Sequence, residues 1–458
     1  MIRELYYSNP WWQDLQVGEA YIFSHRREEF LQINNHLTEK RILAILGPRR
    51  VGKSTLIYQT IDSLINNNID NKRCLFISGD DLGLFKDNTL QEILETYTQE
   101  VLAESFTSLS QQVYVFIDEV HLIENWELYL KNYYDRKYKM KFIVSGSSST
   151  HLFRGTKDSL MGRMDLIHIL PIDFHQFYMF KTKYENKEST EIPIIDLLNI
   201  NESFNMLKPL YQDIEVKIQY GSVINEYMIS GGYLEYFETK DIRLWQQRLS
   251  KDIVTRGIYK DILSMYNIKS PEILEQILYI IAYHSTQSFS YTSLANELKI
   301  DTNTVISYLK YLSDAFLITI NENYSRNILK VKRSNKKISI LDVGLRNALL
   351  KVTDVRPDSI GLLIEGLVSN NIRTYSEDAF YTCYYYRQNR EEIDIVIDAK
   401  HTLIPIEIKY KNEIKTKDLT TITGFIKDND LSYGIVVTKD TLEIRDNLYL
   451  IPFWLFRI

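Results

Sequence analysis

The stretch "GPRRVGKST" (47–55) places glycine, lysine and hydroxyl residues at the spacing G-x-x-x-x-G-K-[ST], which suits a loop that wraps phosphates. Gly47, Pro48, Arg49, Arg50, Val51, Gly52, Lys53, Ser54 and Thr55 would form that loop, with the two glycines letting it turn so that backbone N–H groups face the β-phosphate. Lys53 would supply charge to the β- and γ-phosphates, and Ser54 its hydroxyl to Mg²⁺. A partner follows in "VYVFIDEVHL" (113–122), an apolar run ending in two acids. Asp118 at the end of that run would complete the Mg²⁺ shell, and Glu119 would polarise the attacking water. The two motifs together predict a site for ATP or GTP.

Other residues carry two readings each. Ser145, at the end of an apolar run in "FIVSGSSS" (142–149), could sense the γ-phosphate or cap a helix. Arg154 and Arg163, in "FRGTKDSLMGRMD" (153–165), could reach a neighbouring subunit's nucleotide as an arginine finger, or be solvated and locally paired. A second acidic set lies in "EEIDIVIDAKHTLIPIEIKYK" (391–411), where polar and apolar residues alternate. Residues two apart on a strand share a face, so Glu407 and Lys409 point together while Ile406 and Ile408 enter the core. Asp394 can stand beside them on the adjacent strand. The set is a metal-dependent cluster or the polar face of a hairpin.

These residues need elements to hold them. Four short apolar runs, at 41–47, 74–79, 113–118 and 141–146, alternate with amphipathic stretches at 54–67 and 90–105. That order predicts a parallel sheet covered on both faces. A polar stretch at 181–193 marks a boundary or insertion, a helical region follows to about 268, and Gly231 with Gly232 makes a turn. Three helical patterns then begin near Ser270, Ser290 and Asp301, followed by an alternating basic stretch read as a β-wing. From Asn321 to Lys337 the cations are Arg326, Lys330, Lys332, Arg333, Lys336 and Lys337, against the single acid Glu322. Three helices and a basic strand pair resemble a winged helix-turn-helix whose third helix would enter a DNA major groove. Its alternative use is packing between subunits.

At 458 residues the chain exceeds a single core. Its composition, 45% hydrophobic and 25% charged, is that of an ordinary soluble protein, and no apolar run is long enough for a bilayer. The net charge of −6 opposes a uniformly basic nucleic-acid coat but allows local basic patches. The first residues lack the apolar segment of a secretory signal, and Cys74 and Cys383 fit no zinc spacing. A reduced, cytoplasmic protein is expected.

The ordered set "ILAILGPRRVGKSTL", "FIDEVHLIENW", "FIVSGSSS", "SLMGR", "KKISILDVGLRNAL" and "GLLIEGLVSNNI" resembles a bacterial and archaeal family of AAA+-like P-loop ATPases. These carry a C-terminal domain of unknown function that contains a restriction-endonuclease-like module. The resemblance implies an α/β chain of four parts: a P-loop core (1–180), a helical lid or linker (181–268), a winged helix-turn-helix (269–340) and a PD-(D/E)XK nuclease-like domain (341–458). In that pattern Glu365 sits on a helix, Asp394 on one strand, and Glu407 with Lys409 on the next. Glu365, Asp394 and Glu407 would hold Mg²⁺ or Mn²⁺, and Lys409 would orient the water. The expected protein is a homo-oligomeric ATPase acting on DNA, with or without cleavage. Its rivals are an ATP-gated switch in stress or phage defence and a ring motor that moves DNA junctions without cutting.

Overall fold

A computed structural model of the chain describes residues 1–23, 25–86, 88–147, 160, 162–263, 266, 268–356, 359–389 and 391–458. Arg154 lies outside them. The backbone divides into two compact units, 1–170 and 171–458. The segments expected at 181–268, 269–340 and 341–458 all fall in the second.

In the first unit, β1 (Ile42–Leu46), β2 (Cys74–Ser78), β3 (Val113–Asp118), β4 (Met140–Gly146) and β5 (Met164–His168) form one sheet in the order β2-β3-β4-β1-β5. Every pairing is parallel. β1 and β4 are buried along their whole length, the signature of strands covered on both faces. The expected helix at 54–67 runs Lys53–Asn66. The stretch at 90–105 is shorter than its pattern suggests. A capping box between Thr89 and Glu92 opens a helix at Leu90–Thr96, and a wider turn of Tyr97–Val101 then ends it. There the Thr98 hydroxyl donates to the carbonyls of Leu94 and Glu95 at 3.1 and 3.0 Å, a back-bond that competes with regular helix. The edge strand β2 is closed by Asn9, whose amide accepts from the Phe76 N–H at 2.6 Å and donates to the Phe76 carbonyl at 3.0 Å. That pairing removes a free strand edge.

The second unit opens with helices that include Phe174–Tyr184, Ile200–Gln212, Ile214–Ser230 and Ile242–Lys251. Three more follow at Pro271–Tyr283, Tyr291–Leu298 and Thr302–Asp314, with β6 (Ser288–Phe289) between the first two. Ser290 and Asp301 cap the last two helices as their sequence positions suggest. β7 (Ile318–Asn323) and β8 (Lys336–Ile340) then pair antiparallel, and β6 adds to β8. The expected wing is altered here, because Ile328–Arg333 between β7 and β8 is a short helix. Asn327 caps it by accepting from the Leu329 N–H at 3.0 Å, and Val331 alone is buried, so one anchor in six suits a helical turn better than an alternating strand.

After helices Val343–Leu350 and Ile360–Asp378 come β9 (Thr382–Gln388), β10 (Glu391–Asp398) and β11 (Leu403–Lys409). A helix at Thr416–Asp428 leads to β12 (Gly434–Thr438), β13 (Glu443–Arg445) and β14 (Leu448–Pro452). All nine strands form a single mixed sheet, β13-β14-β12-β11-β10-β9-β7-β8-β6. β7 joins β9 in parallel across the expected boundary at 340/341. Asn370 clamps the Ile360–Asp378 helix to this seam, donating to the carbonyls of Ile340 and Leu341 at 3.1 and 2.7 Å and accepting from Thr319 at 2.8 Å. The turn foreseen at Gly231 ends the Ile214–Ser230 helix with φ +72°, and a Cβ there would meet Asp342 Oδ1 at 2.2 Å. No described helix is long and apolar enough to cross a membrane.

Candidate functional site

The phosphate loop leaves β1 at Gly47, where a Cβ would stand 1.9 Å from the Ile169 carbonyl oxygen, so only glycine fits. Arg50 and Gly52 take positive φ, 67° and 93°, and the helix Lys53–Asn66 starts directly after Gly52. Its first-turn N–H groups thus point out over the loop, as an anion site requires. Lys53 is buried, and its Nζ donates to the carbonyls of Gly47 and Pro48 at 2.9 Å each, which lays the ammonium across the loop. Val51 is buried as well, while Arg49, Arg50 and Thr55 are half-buried.

The parallel register brings the other groups to the same end of the sheet. Ser54 Oγ donates to Asp118 Oδ2 at 2.6 Å. Ser145 donates to Asp118 Oδ1, and the Glu119 N–H donates to Ser145 Oγ at 3.1 Å. Glu119 adopts the left-handed conformation at φ 47°, and its Oε2 lies 3.3 Å from His121 Nδ1. Ser54 and Asp118 are adjacent hard oxygen donors, a pair that fits Mg²⁺ shared with substrate phosphates. Ser145 thus meets Asp118 and the Glu119 backbone together, while the residues that its alternative reading as a helix cap would serve lie outside the described ones.

Arg163 is not brought to this place. It precedes β5, its carbonyl accepts from the Ile42 N–H at 2.9 Å at the start of β1, and its guanidinium pairs with Asp135 at 2.8 and 3.2 Å. Strands in parallel put that end of the sheet opposite the phosphate loop. Two residues to which the sequence pattern gave no role do reach the site. His121 stands against Glu119, and Arg27 is buried, donating to the Val51 carbonyl at 2.9 Å and the Leu170 carbonyl at 2.7 Å. Arg27 thereby ties the loop's crest to the chain beyond β5.

In the second unit, Asp394, Glu407 and Lys409 do converge. The Ile408 N–H donates to Asp394 Oδ2 at 2.9 Å, the Asp394 N–H donates to Glu407 Oε2 at 3.4 Å, and Lys409 pairs with Glu407. The pairing of β9 with β10 shifts register between Ile393 and Val396, leaving Asp394 and Ile395 opposite Tyr385, a bulge of the kind that re-aims a side chain. Glu365 joins the set through a residue assigned a different role by its sequence. Lys337 Nζ lies 2.6 Å from Glu365, 3.0 Å from Glu392 and 3.3 Å from Asp394. Glu392 also meets Arg387 at 3.5 Å.

The basic stretch is therefore corrected at two positions. Lys336 and Lys337 are buried rather than presented to solvent, with Lys336 Nζ donating to the Val331 carbonyl at 2.7 Å. Arg326, Lys330, Lys332 and Arg333 remain exposed, Lys332 pairing with Glu322 at 3.0 Å. Burial opposes the Lys337 charge, yet Asp394, Glu365 and Glu392 hold its pKa above the ordinary lysine value. Burial raises Glu407, and the Asp394 charge raises it further against the pull of Lys409. Glu365 is raised in the same way, with Lys337 opposing.

Those neighbours decide how well this cluster suits a metal. An ammonium has three N–H donors, and Lys337 has three carboxylates around it. A Mg²⁺ ion needs near-octahedral oxygen ligands at about 2.1 Å, and one oxygen of Glu365 and both of Asp394 are already turned to nitrogen. As arranged, the residues do not fit a divalent ion.

Comparison with known proteins agrees with the first unit and leaves the second without a described activity. Residues 39–178 match the family described as "AAA domain". Residues 222–356 and 360–456 match two families each described as a domain of unknown function, DUF8612 and DUF4143. An uncharacterised protein of Methanocaldococcus jannaschii is 25% identical over 439 residues, covering 91% of this chain and 88% of its own. One from Haemophilus influenzae is 23% identical over 412 residues, covering 88% and 91%. Among solved structures, the Aeropyrum pernix ORC2 protein in ADPNP–ADP complexes is 11% identical over 78% of this chain and 98% of its own, at a TM-score of 0.37. That overall likeness is too low to carry weight. The sheet, the loop and the family match together make the first unit an AAA-type P-loop NTPase fold.

Proposed function

We propose that the protein hydrolyses ATP at the loop of residues 47–55 and uses the nucleotide state to control how its second unit holds DNA. The observation that carries the first half is the meeting of Ser54, Asp118, Ser145 and the Glu119 backbone at one end of a parallel sheet, beside buried Lys53. Lys53 and the loop amides hold the β- and γ-phosphates. Mg²⁺, held by Ser54 and Asp118, supplies neutralisation of the phosphate oxygens. Glu119 orients a water toward the γ-phosphorus and takes up its proton as the new P–O bond forms and the bond to the β-phosphate oxygen breaks, leaving ADP and inorganic phosphate. His121, beside the Glu119 carboxylate, fixes where that carboxylate points.

The second half rests on the succession of a helix, β6, two helices, β7 and β8, which we read as a winged helix with a helical turn in its wing, and on the exposed cations Arg326, Lys330, Lys332 and Arg333. Exposed cations on a short helix suit phosphate contacts that do not read sequence. The nuclease-like cluster favours binding over cutting, because Lys337 occupies it. An ATP-gated switch that grips a partner through an inactive nuclease fold is the second reading this same contact supports. ATP turnover measured with single-stranded, duplex and branched DNA, the products run on a denaturing gel, separates them. Stimulation by DNA without nicking upholds the proposal. Turnover indifferent to all three DNAs moves it to the switch, and metal-dependent nicking lost on Asp394→Ala restores the nuclease.

A further inference from the structure

We infer that Lys337 is an internal cation that takes the place of a divalent metal in the carboxylate cluster and keeps that cluster closed to metal. Lys337 comes from β8, in the segment that the sequence assigned to phosphate contacts, whereas the carboxylates come from the helix Ile360–Asp378 and from β10 and β11. Its side chain is 5% exposed, and its Nζ is within 3.3 Å of Glu365, Glu392 and Asp394. A buried ammonium needs such partners, since removing it from water is otherwise strongly unfavourable. Four carboxylates, with Glu407 the fourth, meet three cations: Lys337, Lys409 and Arg387. Charge in the cluster is thus nearly balanced by the chain itself. Like carboxylates gathered on a sheet ordinarily call for an outside cation, and here that need is met from within.

The position of Lys337 also gives the contact a mechanical role. β8 meets β10 through the reach of this side chain, because β7 and β9 lie between them in the sheet. Lys337 therefore spans the seam that joins the helix-and-hairpin segment to the α/β segment. Withdrawing it would both loosen that seam and leave Glu365 and Asp394 unneutralised, open to a divalent ion.

Manganese binding to the nucleotide-free full chain, read by electron paramagnetic resonance, tests the inference. The Asp118→Asn substitution is carried throughout so that the nucleotide site does not contribute. With Lys337 present, no Mn²⁺ should be held in a manner sensitive to Asp394→Asn. Lys337→Gln should gain one bound Mn²⁺ per chain, lost again when Asp394→Asn is added, and Lys337→Arg should keep the ion out. A folded Lys337→Gln chain that binds no Mn²⁺ overturns the inference. So does Asp394-dependent binding by the chain that retains Lys337, a result that stands even if Lys337→Gln does not fold. Neither reading depends on ATP turnover, so failure here is distinct from failure of the proposed activity.

Discussion

Ser54 Oγ and Asp118 Oδ2 are 2.6 Å apart although 64 residues separate them in the chain. Ser145 meets the other oxygen of the same carboxylate and also accepts from the Glu119 N–H at 3.1 Å. Ser145 therefore ties the Asp118 carboxylate to the backbone of Glu119. Ser145→Ala should leave nucleotide affinity within a few fold while lowering turnover by roughly ten- to a hundred-fold, less than the effect expected for a group that touches the transition state directly. A kcat equal to that of the unsubstituted chain would remove Ser145 from the mechanism.

Lys53 and Glu119 should separate binding from chemistry. Lys53 lies across the loop in the ground state, so Lys53→Ala should abolish nucleotide binding. Glu119→Gln should bind ATP normally and turn it over roughly 10² to 10³ times more slowly, the scale of removing one transition-state interaction. Calorimetric affinity beside steady-state kinetics decides it, and weakened binding in Glu119→Gln would contradict its assignment to the water.

The exposed cations should act on DNA collectively. Replacing Lys330, Lys332 and Arg333 together by Ala should weaken binding about equally across sequences. It should also flatten the salt dependence by roughly 0.9 of a unit of slope for each DNA phosphate that is no longer neutralised. Adding Lys336→Ala should change stability more than salt slope, since that side chain is buried. Unchanged affinity and slope in the triple variant would point to packing between subunits instead.

The different fates of these lysines show what was legible in advance. Strands β1 to β4 were readable because apolar runs of strand length alternate with amphipathic helices, and the motif loop could only follow one of them. Glu407 and Lys409 were readable from a period of two, whereas Asp394 sits at a bulge on the neighbouring strand, where the alternation breaks. Lys336 and Lys337 were not, since a basic run looks alike whether its side chains meet solvent or buried acids. Their direction is set by pairing between β7 and β8, and by β9 adding to β7, relations with no local signal. The same holds for Arg27, whose partners are carbonyls of Val51 and Leu170, and for Asn9 at the edge of β2.

Asp342 supplies a pH test. It is buried, and burial pushes its pKa up to about 6 even though it accepts from the Gly232 and Leu345 N–H groups. Its unfolded value is about 3.9, so between about pH 4 and pH 6 the folded chain binds more protons than the unfolded one. Stability contributed by the protonated form is then lost as pH rises through that window. The stability of the unsubstituted chain relative to Asp342→Asn should fall across it by up to roughly 2–3 kcal/mol, two pKa units at 1.36 kcal/mol each. Denaturant midpoints at several pH values check this, and a difference that stays constant would place the burial cost elsewhere.

Gly47 and Gly231 should tolerate no side chain. A Cβ at Gly47 meets backbone at 1.9 Å, and one at Gly231 meets Asp342 Oδ1 at 2.2 Å in a left-handed conformation. Gly231→Ala should cost about 1–3 kcal/mol of stability from overpacking and strain. A Tm equal to that of the unsubstituted chain would show that the turn relaxes.

The most direct test of the central claim is steady-state ATP turnover by the full chain in Mg²⁺, with and without duplex DNA, beside the Glu119→Gln variant. Turnover that needs Mg²⁺, rises with DNA and falls by roughly 10² or more in Glu119→Gln is the expected result. ATP bound one per chain with no turnover, or turnover that Glu119→Gln leaves unchanged, would contradict it.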